Sequence, residues 1–434
     1  MAEERESTRT DREGAAYRSS AESRAQLVAQ LQAMGIVRSE ALAMALQAVP
    51  REAFVPAIAS SEGVARVYLD EPIIIKRDER GMPLSSSSAP SMMAIMLEQL
   101  AVQPGMRVLE IGTGTGYNTA ILAELAGPTG KITTIDIDPE LAEKARAHLA
   151  AAGYHWVQVL CADGTNGYPA AAPYDRIVVT AAAPDIEPAW IEQLAEGGRL
   201  VLPLELYRYQ RSQLSLALEK HRGVLTGYGA TQASFIPLRS EPYGDRSPQT
   251  SLMVLGIMHQ REHVSIQLSG NPVEMADPAQ QRYLLRLLTQ EPRLYDLNLG
   301  AAARDFIRYL EVRYGGTELI SAYSGHAAWG FEGWAFGIYV AEARRRQEAA
   351  GGLALLRPAA AAPDDTALQK ALVYGHEKAL RRLVDLAREW QQLHWPSLEH
   401  LYIRVYPRSA HLVPAAHEWL VVRPSVQLLL TFRR

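Results

Sequence analysis

Residues 108–117 read VLEIGTGTGY and form a glycine-rich turn that could hold a ligand through its backbone. The apolar residues before the turn predict a strand, and the residues after it predict a helix. Gly112 and Gly114 let the backbone adopt tight conformations and approach a ligand without an intervening Cβ atom. The motif alone leaves a second interpretation open, a tight strand-to-helix turn that binds nothing.

Two acidic residues follow the next two predicted strands and could hold a nucleoside. Asp136 lies twenty residues after Gly116, and a carboxylate there can accept hydrogen bonds from both hydroxyls of a ribose. Asp163, which precedes Gly164, could accept from the exocyclic amine of adenine. The alternatives are a helix cap at Asp136 or Asp138, and a simple Asp-Gly turn at Asp163. The glycine-rich turn, Asp136 and Asp163 follow three successive predicted strands, and this combination favours a nucleoside site.

The spacing of these residues distinguishes between nucleoside cofactors. A dinucleotide-binding turn that began with Gly114 and Gly116 would require a third glycine at position 119, which is threonine. Glu110, just before the turn, would repel a phosphate but suits a cationic ligand. S-adenosylmethionine carries a sulfonium and an ammonium group, so the sequence favours this cofactor over NAD.

The predicted elements place these residues at one edge of a sheet, because strands alternate with helices along the first half of the chain. This alternation predicts right-handed crossovers and an α/β fold with a parallel, doubly wound sheet. The predicted strands are 107–111, 131–135, 157–161, 176–180 and 199–203, and the predicted helices are 91–100, 118–126, 139–152 and 187–194. Residues 213–218 and 227–235 predict closing strands, antiparallel at the sheet edge.

The length of 434 residues exceeds what one ordinary core accommodates and predicts two domains. Residues 1–24 predict a disordered N-terminus, and residues 25–240 predict the domain that carries the glycine-rich turn. The rhythm changes after residue 240, so residues 241–434 predict a C-terminal α+β domain. We expect deletion of this domain to spare cofactor binding and to weaken peptide affinity.

Three segments carry more specific expectations. Residues 51–90 contain a hydrophilic stretch and a serine run, which predict irregular structure. The Ala-, Pro- and Gly-rich residues 349–365 predict a linker or exposed loop. Residues 368–390 predict one long amphipathic helix.

Composition excludes several classes of protein. The net charge of −4 gives no sign of a nucleic-acid partner. Cys161 is the single cysteine, so an internal disulfide and a multi-cysteine zinc site are excluded, and its apolar strand predicts a buried thiol. His259 and His263 are four residues apart, but they flank a predicted polar turn, so no metal site is expected. The absence of a long apolar run and of a secretion signal predicts a cytoplasmic protein without membrane contact. The oligomeric state stays open.

Several segments, in order along the chain, resemble motifs of the protein-L-isoaspartate O-methyltransferase family. They are VPREAFVP at 49–56, YLDEP at 68–72, SAP at 88–90, DGTNGYP at 163–169, VTAAAP at 179–184, GGRLVLP at 197–203 and SFIPL at 234–238. The resemblance covers roughly residues 25–240, about half of the chain. It implies a Rossmann-like class I methyltransferase sheet and an S-adenosylmethionine-dependent carboxyl O-methyltransferase. The implied partner is a peptide or protein substrate that carries an aspartyl or isoaspartyl residue.

The resemblance also implies roles for single residues. Ser88 is the predicted catalytic residue, in contact with the substrate carboxylate, and a helix cap ahead of Pro90 is its alternative role. The substrate-binding segment is Ser86, Ser87, Ser88, Ala89 and Pro90. The predicted cofactor-binding residues are Glu110, Gly112, Thr113, Gly114, Asp136, Ile137, Asp163 and Gly164.

The chain departs from the family pattern in two ways that bear on the choice of substrate. Residues 75–88 are longer and more charged than the family's usual Gly-rich segment, and a large C-terminal part is added. In this respect the chain resembles extended relatives associated with ribosomally synthesised modified peptides. Those relatives methylate an aspartate, and the ester then closes to an aspartimide. The sequence therefore predicts a peptide-tailoring enzyme, with a general isoaspartyl repair enzyme and a catalytically degenerate binding module as alternatives.

Overall fold

The protein is described by a computed structural model. The described residues are 19–207, 213–241, 252–259, 262–269, 278–297, 299, 302–315, 319–324, 333–341, 351–356 and 369–433. The predicted disorder falls mostly on residues 1–18, which lie outside these ranges. Helical structure begins at Ser20, earlier than predicted, because Ser19 and Glu22 form a reciprocal capping box.

Short helices and one hairpin precede the central sheet. The helices are α1 (Ser20–Ala33), α2 (Glu40–Ala48), α3 (Pro56–Glu62) and α4 (Val64–Val67), with a 3-10 turn at Arg51–Phe54. Strands β1 (Ile73–Arg77) and β2 (Pro83–Ser87) pair antiparallel in a separate two-stranded sheet. The prediction that residues 51–90 are irregular is therefore wrong. The two strands, IIIKR and PLSSS, lack the alternation of apolar and polar residues that marks a half-buried strand.

The predicted doubly wound α/β sheet is confirmed. Its parallel strands are β3 (Arg107–Ile111), β4 (Lys131–Asp136), β5 (Gln158–Cys161), β6 (Tyr174–Val179) and β7 (Leu194–Glu205). Its helices are α5 (Pro90–Leu100), α6 (Tyr117–Ala126), α7 (Pro139–Ala151) and α8 (Pro188–Gln193). The strand order β7-β6-β3-β4-β5 places β3 in the middle. The carboxyl ends of β3, β4 and β6 therefore meet at one edge.

Antiparallel strands from both halves of the chain extend this sheet. They are β8 (Gln213–His221), β9 (Val224–Tyr228), β10 (Ala230–Ala233), β18 (Leu401–Pro407), β19 (Trp419–Val422) and β20 (Val426–Phe432). Strand β18 pairs with β9, and the order continues through β20 to β19, while β10 pairs with β8. The last strands of the chain thus belong to the same sheet as the glycine-rich turn. The predicted division at residue 240 separates segments that share one sheet.

The intervening residues form a second, antiparallel sheet with helices, which is the predicted C-terminal α+β structure. Its strands are β11 (Leu252–His259), β12 (Glu262–Ser269), β13 (Arg293–Leu297), β14 (Leu319–Ser324), β15 (Gly333–Ala341), β16 (Gly351–Leu356) and β17 (Gln369–Gly375). Its order is β11-β12-β14-β15-β16-β17-β13. The helices are α9 (Pro278–Leu288), α10 (Ala303–Tyr314) and α11 (Lys378–Gln392).

The structure tests three smaller predictions, two on this part of the chain and one on the burial of Cys161. Residues 351–356, predicted as a linker, form the fully buried strand β16, while residues 357–365 of that linker lie outside the described ranges. The predicted helix 368–390 begins at Lys378, because the apolar residues before Gly375 form strand β17. Cys161 is exposed, contrary to prediction, because β5 is the edge strand of its sheet.

Two apolar cores cover the two faces of the central sheet. Val108 packs with the N-terminal helices and α6, whereas its neighbour Leu109 packs on the opposite face. The second core also includes Leu225 of β9, Val405 of β18 and Leu428 of β20. No helix within the described ranges has the length and apolar character needed to cross a bilayer.

Candidate functional site

A crevice opens at the carboxyl ends of β3, β4 and β6, where strand order places the predicted cofactor residues. It encloses about 1030 Å³, including space open to solvent. One wall is the glycine-rich turn and the end of β4. Another part of the wall is the serine segment, which we define as residues 85–88.

The glycine-rich turn is held against β4, and at Gly112 it leaves no room for a side chain. The amides of Gly112 and Thr113 donate to the Ile135 carbonyl at 2.8 and 3.2 Å. Gly112 has φ +98°, and a Cβ atom built there would lie 2.4 Å from Oγ1 of Thr180. Gly114 has φ +54° and faces the Ser86 carbonyl oxygen, 3.8 Å from the position of a Cβ. The turn therefore forms a cradle that only glycine can build.

Asp136 lies at the end of β4 and lines the crevice. Its carboxylate accepts from the amide of Gly114 at 2.9 Å and from the amide of Asp138 at 3.0 Å. Burial raises the pKa of Asp136, although both amides act in the opposite direction. Each carboxylate oxygen keeps a second lone pair, so the group can still accept from ribose hydroxyls. The alternative helix-cap role belongs to Asp138, which accepts from the amides of Glu140 and Leu141 at the start of α7.

Glu110 lies behind the crevice wall rather than on it. The side chain is fully buried, and its carboxylate accepts from Asn118, Thr119 and Thr134, with distances of 2.8 Å to Asn118 and 2.7 Å to Thr134. Burial raises the pKa of Glu110 to about 6, although the three donors act against this. Glu110 can therefore act on a ligand by its charge and through its hydrogen bond to Asn118, which does line the crevice.

Asp163 has hydrogen-bond partners within the protein, while Gly164 lines the crevice. One carboxylate oxygen of Asp163 accepts from the amide and hydroxyl of Thr165, at 2.9 and 2.7 Å. The other oxygen accepts from the amide of Glu241 at 3.0 Å. The carboxylate thus caps the short 3-10 turn that follows it. An adenine contact from Asp163 stays a prediction, and the side chain is not among the residues that line the crevice.

The serine segment lines the crevice at the end of the β1–β2 hairpin, so Ser86, Ser87 and Ser88 all reach it. Ala89, not Ser88, is the N-cap residue of α5, and it makes no side-chain cap. The helix-cap alternative for Ser88 is therefore wrong. Ala89 and Pro90 lie at the start of the helix and are not among the lining residues, so a substrate contact from these two residues stays a prediction.

Thr113 and Ile137, predicted as cofactor residues, lie on the wall of the crevice. Several lining residues were not predicted. They come from α5, from the start of α6, from the end of β6 and from the segment after β10, and they include Met93, Met96, Leu97, Tyr117, Asn118, Thr180, Ala181 and Phe235–Arg239. The VTAAAP segment at 179–184 and the SFIPL segment at 234–238 were sequence signals that pointed to part of this set.

Basic side chains lie beside the acidic end of β4. Nζ of Lys76, on β1, is 2.9 Å from Oδ2 of Asp138 and 2.7 Å from Oε2 of Glu140. A guanidinium nitrogen of Arg239 lies 3.6 Å from the same oxygen of Asp138. Burial opposes ionisation of Asp138, but the Lys76 ammonium and a backbone amide keep its pKa below the usual value. Lys76 thereby ties the hairpin to the start of α7.

In the part of the chain that the structure describes, no group of three or more His, Cys, Asp or Glu side chains comes together to hold a metal ion. His259 and His263 lie at the facing ends of β11 and β12, in an antiparallel hairpin whose connection falls outside the described ranges.

Comparison with known proteins matches the first half of the chain. The family model described as Protein-L-isoaspartate(D-aspartate) O-methyltransferase (PCMT) matches residues 22–242. The protein-L-isoaspartate O-methyltransferase of Methanopyrus kandleri is 41% identical over 228 residues, which are 52% of this chain and 95% of that protein. That of Ignicoccus hospitalis is 45% identical over 184 residues, 42% of this chain and 82% of that protein. A solved protein-L-isoaspartate O-methyltransferase structure covers 88% of this chain and 96% of its own, with TM-score 0.48 and 24% identity.

Proposed function

Because the chain belongs to the protein-L-isoaspartate(D-aspartate) O-methyltransferase family, we propose that it methylates the free carboxylate of an isoaspartyl residue in a peptide or protein. The chain is an S-adenosylmethionine-dependent methyltransferase. The observation that carries the proposed substrate is the arrangement of the crevice. The glycine-rich turn, Asp136 and the serine segment all line this crevice, and the serine segment approaches the turn at Gly114.

The residues present fit S-adenosylmethionine. A Cβ atom at Gly112 would collide with Thr180, so the glycine keeps open a cradle in which ligand atoms can approach the backbone. Asp136 offers acceptors for ribose hydroxyls, and the buried Glu110 carboxylate favours a cation nearby. The bound cofactor would supply an electrophilic methyl group on a positively charged sulfur.

The chain need not supply a general base for this reaction. A carboxylic acid of the aspartate type has an ordinary pKa of about 3.9, so the acceptor is ionised at neutral pH. The protein contributes by holding the carboxylate against the cofactor wall and by excluding water. The hairpin serves both purposes, because Ser86 approaches Gly114 across the crevice.

Ser88 is the residue we propose to hold the acceptor carboxylate. It lines the crevice and is partly exposed, and its hydroxyl has no hydrogen-bond partner among the described residues. A hydroxyl donor to an ionised oxygen stabilises it more strongly than a donor to a neutral one.

The proposal is tested by methylation of a synthetic isoaspartyl peptide and of the matching aspartyl peptide, with mass spectrometry of the products. We expect a gain of one methyl group on the isoaspartyl peptide, followed by loss of methanol as the neighbouring backbone nitrogen closes a five-membered imide. A stable N-methyl product would show that the acceptor is not a carboxylate.

The Ser88→Ala variant tests the role of the hydroxyl. We expect kcat/KM for the peptide to fall about 10-fold to 100-fold, the value of one hydrogen bond to a charged group, with S-adenosylhomocysteine affinity unchanged. Ser61→Ala is the matched control, because the Ser61 hydroxyl donates to the Ala57 carbonyl on an exposed helix. Equal kinetics for the Ser88 variant and the wild type would remove Ser88 from the proposal.

A second candidate substrate is an aspartate of a modified ribosomal peptide, whose methyl ester would close to an aspartimide. It is favoured by the C-terminal half, which lies outside the matched family region. Kinetics separate the two candidates. Turnover of generic isoaspartyl peptides supports the first, whereas methylation confined to a cyclised peptide with an ordinary aspartate supports the second.

A further inference from the structure

We propose that Arg51 is a positioning residue for the carboxylate acceptor, because it fixes the backbone of the serine segment from inside the protein. This inference rests on the proposed function. Arg51 lies on the 3-10 turn before α3 and is fully buried. It is not among the residues that line the crevice, so it acts through the residues that it contacts.

The guanidinium of Arg51 binds the serine segment at several oxygens. One terminal nitrogen donates to the Ser88 carbonyl at 2.9 Å, and it also lies 3.4 Å from the Ser87 carbonyl and 3.3 Å from the Ser87 hydroxyl. The other terminal nitrogen donates to the Val67 carbonyl at 2.9 Å. One side chain therefore ties the end of β2 to helix α4, and it fixes the peptide unit that carries Ser88 toward the crevice.

The guanidinium of Arg51 forms no ion pair in the part of the chain that the structure describes. Its contacts there are neutral oxygens and the ring of Tyr117, whose centroid lies 5.7 Å from the guanidinium carbon. Nε is buried without a hydrogen-bond partner in the same set of residues. A buried charge is costly unless it is paired, and burial accordingly lowers the pKa of Arg51.

An anionic acceptor at the serine segment would meet this buried positive charge, on which the Asp70 carboxylate also acts electrostatically. The donors of Arg51 polarise the Ser87 and Ser88 peptide units, and the charge attracts a carboxylate through an interior where screening is weak. Arg51 makes none of its hydrogen bonds to the glycine-rich turn, which the serine segment approaches through Ser85 and Ser86 at Gly114. Loss of Arg51 should therefore weaken acceptor binding and orientation while leaving the cofactor wall in place.

The test compares Arg51→Met and Arg51→Lys in the full-length chain. We expect Arg51→Met to raise KM for the isoaspartyl peptide at least 10-fold with a smaller change in kcat, and to leave the Kd of S-adenosylhomocysteine within twofold of wild type. Arg51→Lys retains the charge without the forked geometry, so we expect it to recover part of the lost KM.

Arg176→Met is the matched control. Arg176 also donates to backbone carbonyls, those of Leu100 and Ala101, and burial also lowers its pKa. It lies near the amino end of β6, away from the crevice, so its variant should lower Tm without changing KM.

Two results would overturn the role of Arg51 in acceptor positioning. One is unchanged peptide KM in a folded Arg51→Met protein. The other is a parallel loss of cofactor affinity and activity in both Arg51 variants, which would make Arg51 a support for the whole crevice. If Arg51→Met does not fold, the KM and cofactor Kd of Arg51→Lys decide by the same criteria. Failure of the wild type to methylate any carboxylate peptide would instead refute the proposed function.

Discussion

Glu110 and Asp136 end neighbouring strands, yet the fold uses their carboxylates differently. Asp136 keeps contact with the crevice, whereas the carboxylate of Glu110 accepts from the side chains of Asn118, Thr119 and Thr134. The carboxylate of Glu110 is thus a fixed charge behind the cofactor wall. Its burial costs stability when it is ionised, and this cost can be measured through its pH dependence.

The Glu110→Gln variant should change how stability depends on pH. The pKa of Glu110 in the folded state is about 6, above the ordinary value of 4.5. Its contribution to stability is therefore complete below pH 4.5 and is lost as the pH rises through about 6. Between pH 4.5 and 7 the unfolding free energy of the wild type should fall by about 2 kcal/mol relative to the variant. Urea denaturation of both proteins at several pH values measures this difference, and parallel stability curves would contradict it.

The Gly112→Ala variant tests the glycine cradle. The added methyl group would lie 2.4 Å from the Thr180 hydroxyl at a backbone φ of +98°, so the turn must shift. We expect S-adenosylhomocysteine affinity to fall at least 10-fold and stability to fall by about 1–3 kcal/mol. Gly153→Ala is the control, because Gly153 has a similar φ of +94° with open space around it. Calorimetry should show lost affinity for the Gly112 variant alone.

At the scale of elements, the β1–β2 hairpin covers the glycine-rich turn, and Lys76 holds the hairpin through Asp138 and Glu140. Residues 75–88 form the charged segment that departs from the family pattern. Its first charged residue, Lys76, therefore has ion-pair partners within the protein. Because Asp138 also caps α7, the hairpin is tied to the element that follows Asp136. We expect the ion pairs of Lys76 to slow the release of bound cofactor.

The Lys76→Met variant should release S-adenosylhomocysteine about threefold to fivefold faster, the effect expected of a partly exposed ion-pair network. The ratio should shrink at high salt, because salt screens the wild-type pairs. Lys144→Met is the control, since Lys144 pairs with the same Glu140 from within α7. Stopped-flow measurement gives the rates. Equal release from the wild type and the Lys76 variant would show that the hairpin does not limit exchange.

At the scale of the whole molecule, the two halves of the chain are connected at the central sheet. Val405 on β18 lies opposite Leu225 on β9, and both belong to one apolar core. The amide of Ser425 donates to the buried Asp185 carboxylate at 2.6 Å, next to the loop after β6. The Tyr207 hydroxyl donates to the Val312 carbonyl at 2.7 Å.

Deletion of residues 242–434 should therefore yield an aggregated or unfolded protein that does not bind S-adenosylhomocysteine, unlike the expectation from the sequence. The deletion leaves the long edge of β9 unpaired and exposes core leucines to water. A matched variant replaces residues 242–397 with a flexible linker and keeps β18–β20, and we expect it to bind the cofactor. Size-exclusion chromatography and calorimetry check both. A monomeric, cofactor-binding deletion would contradict the structural role of the last strands.

The sequence by itself determined the glycine-rich turn, the strand that precedes it, Asp136 at the next strand end and the serine segment. These features are local, and parallel strands necessarily bring their carboxyl ends to one edge. Only the tertiary structure decided that Glu110 stands behind the wall, that Asp163 caps its own turn, and that Arg51 contacts the serine segment. It also decided that β18 pairs with β9, because strand pairing depends on contacts between distant residues that a local pattern does not encode.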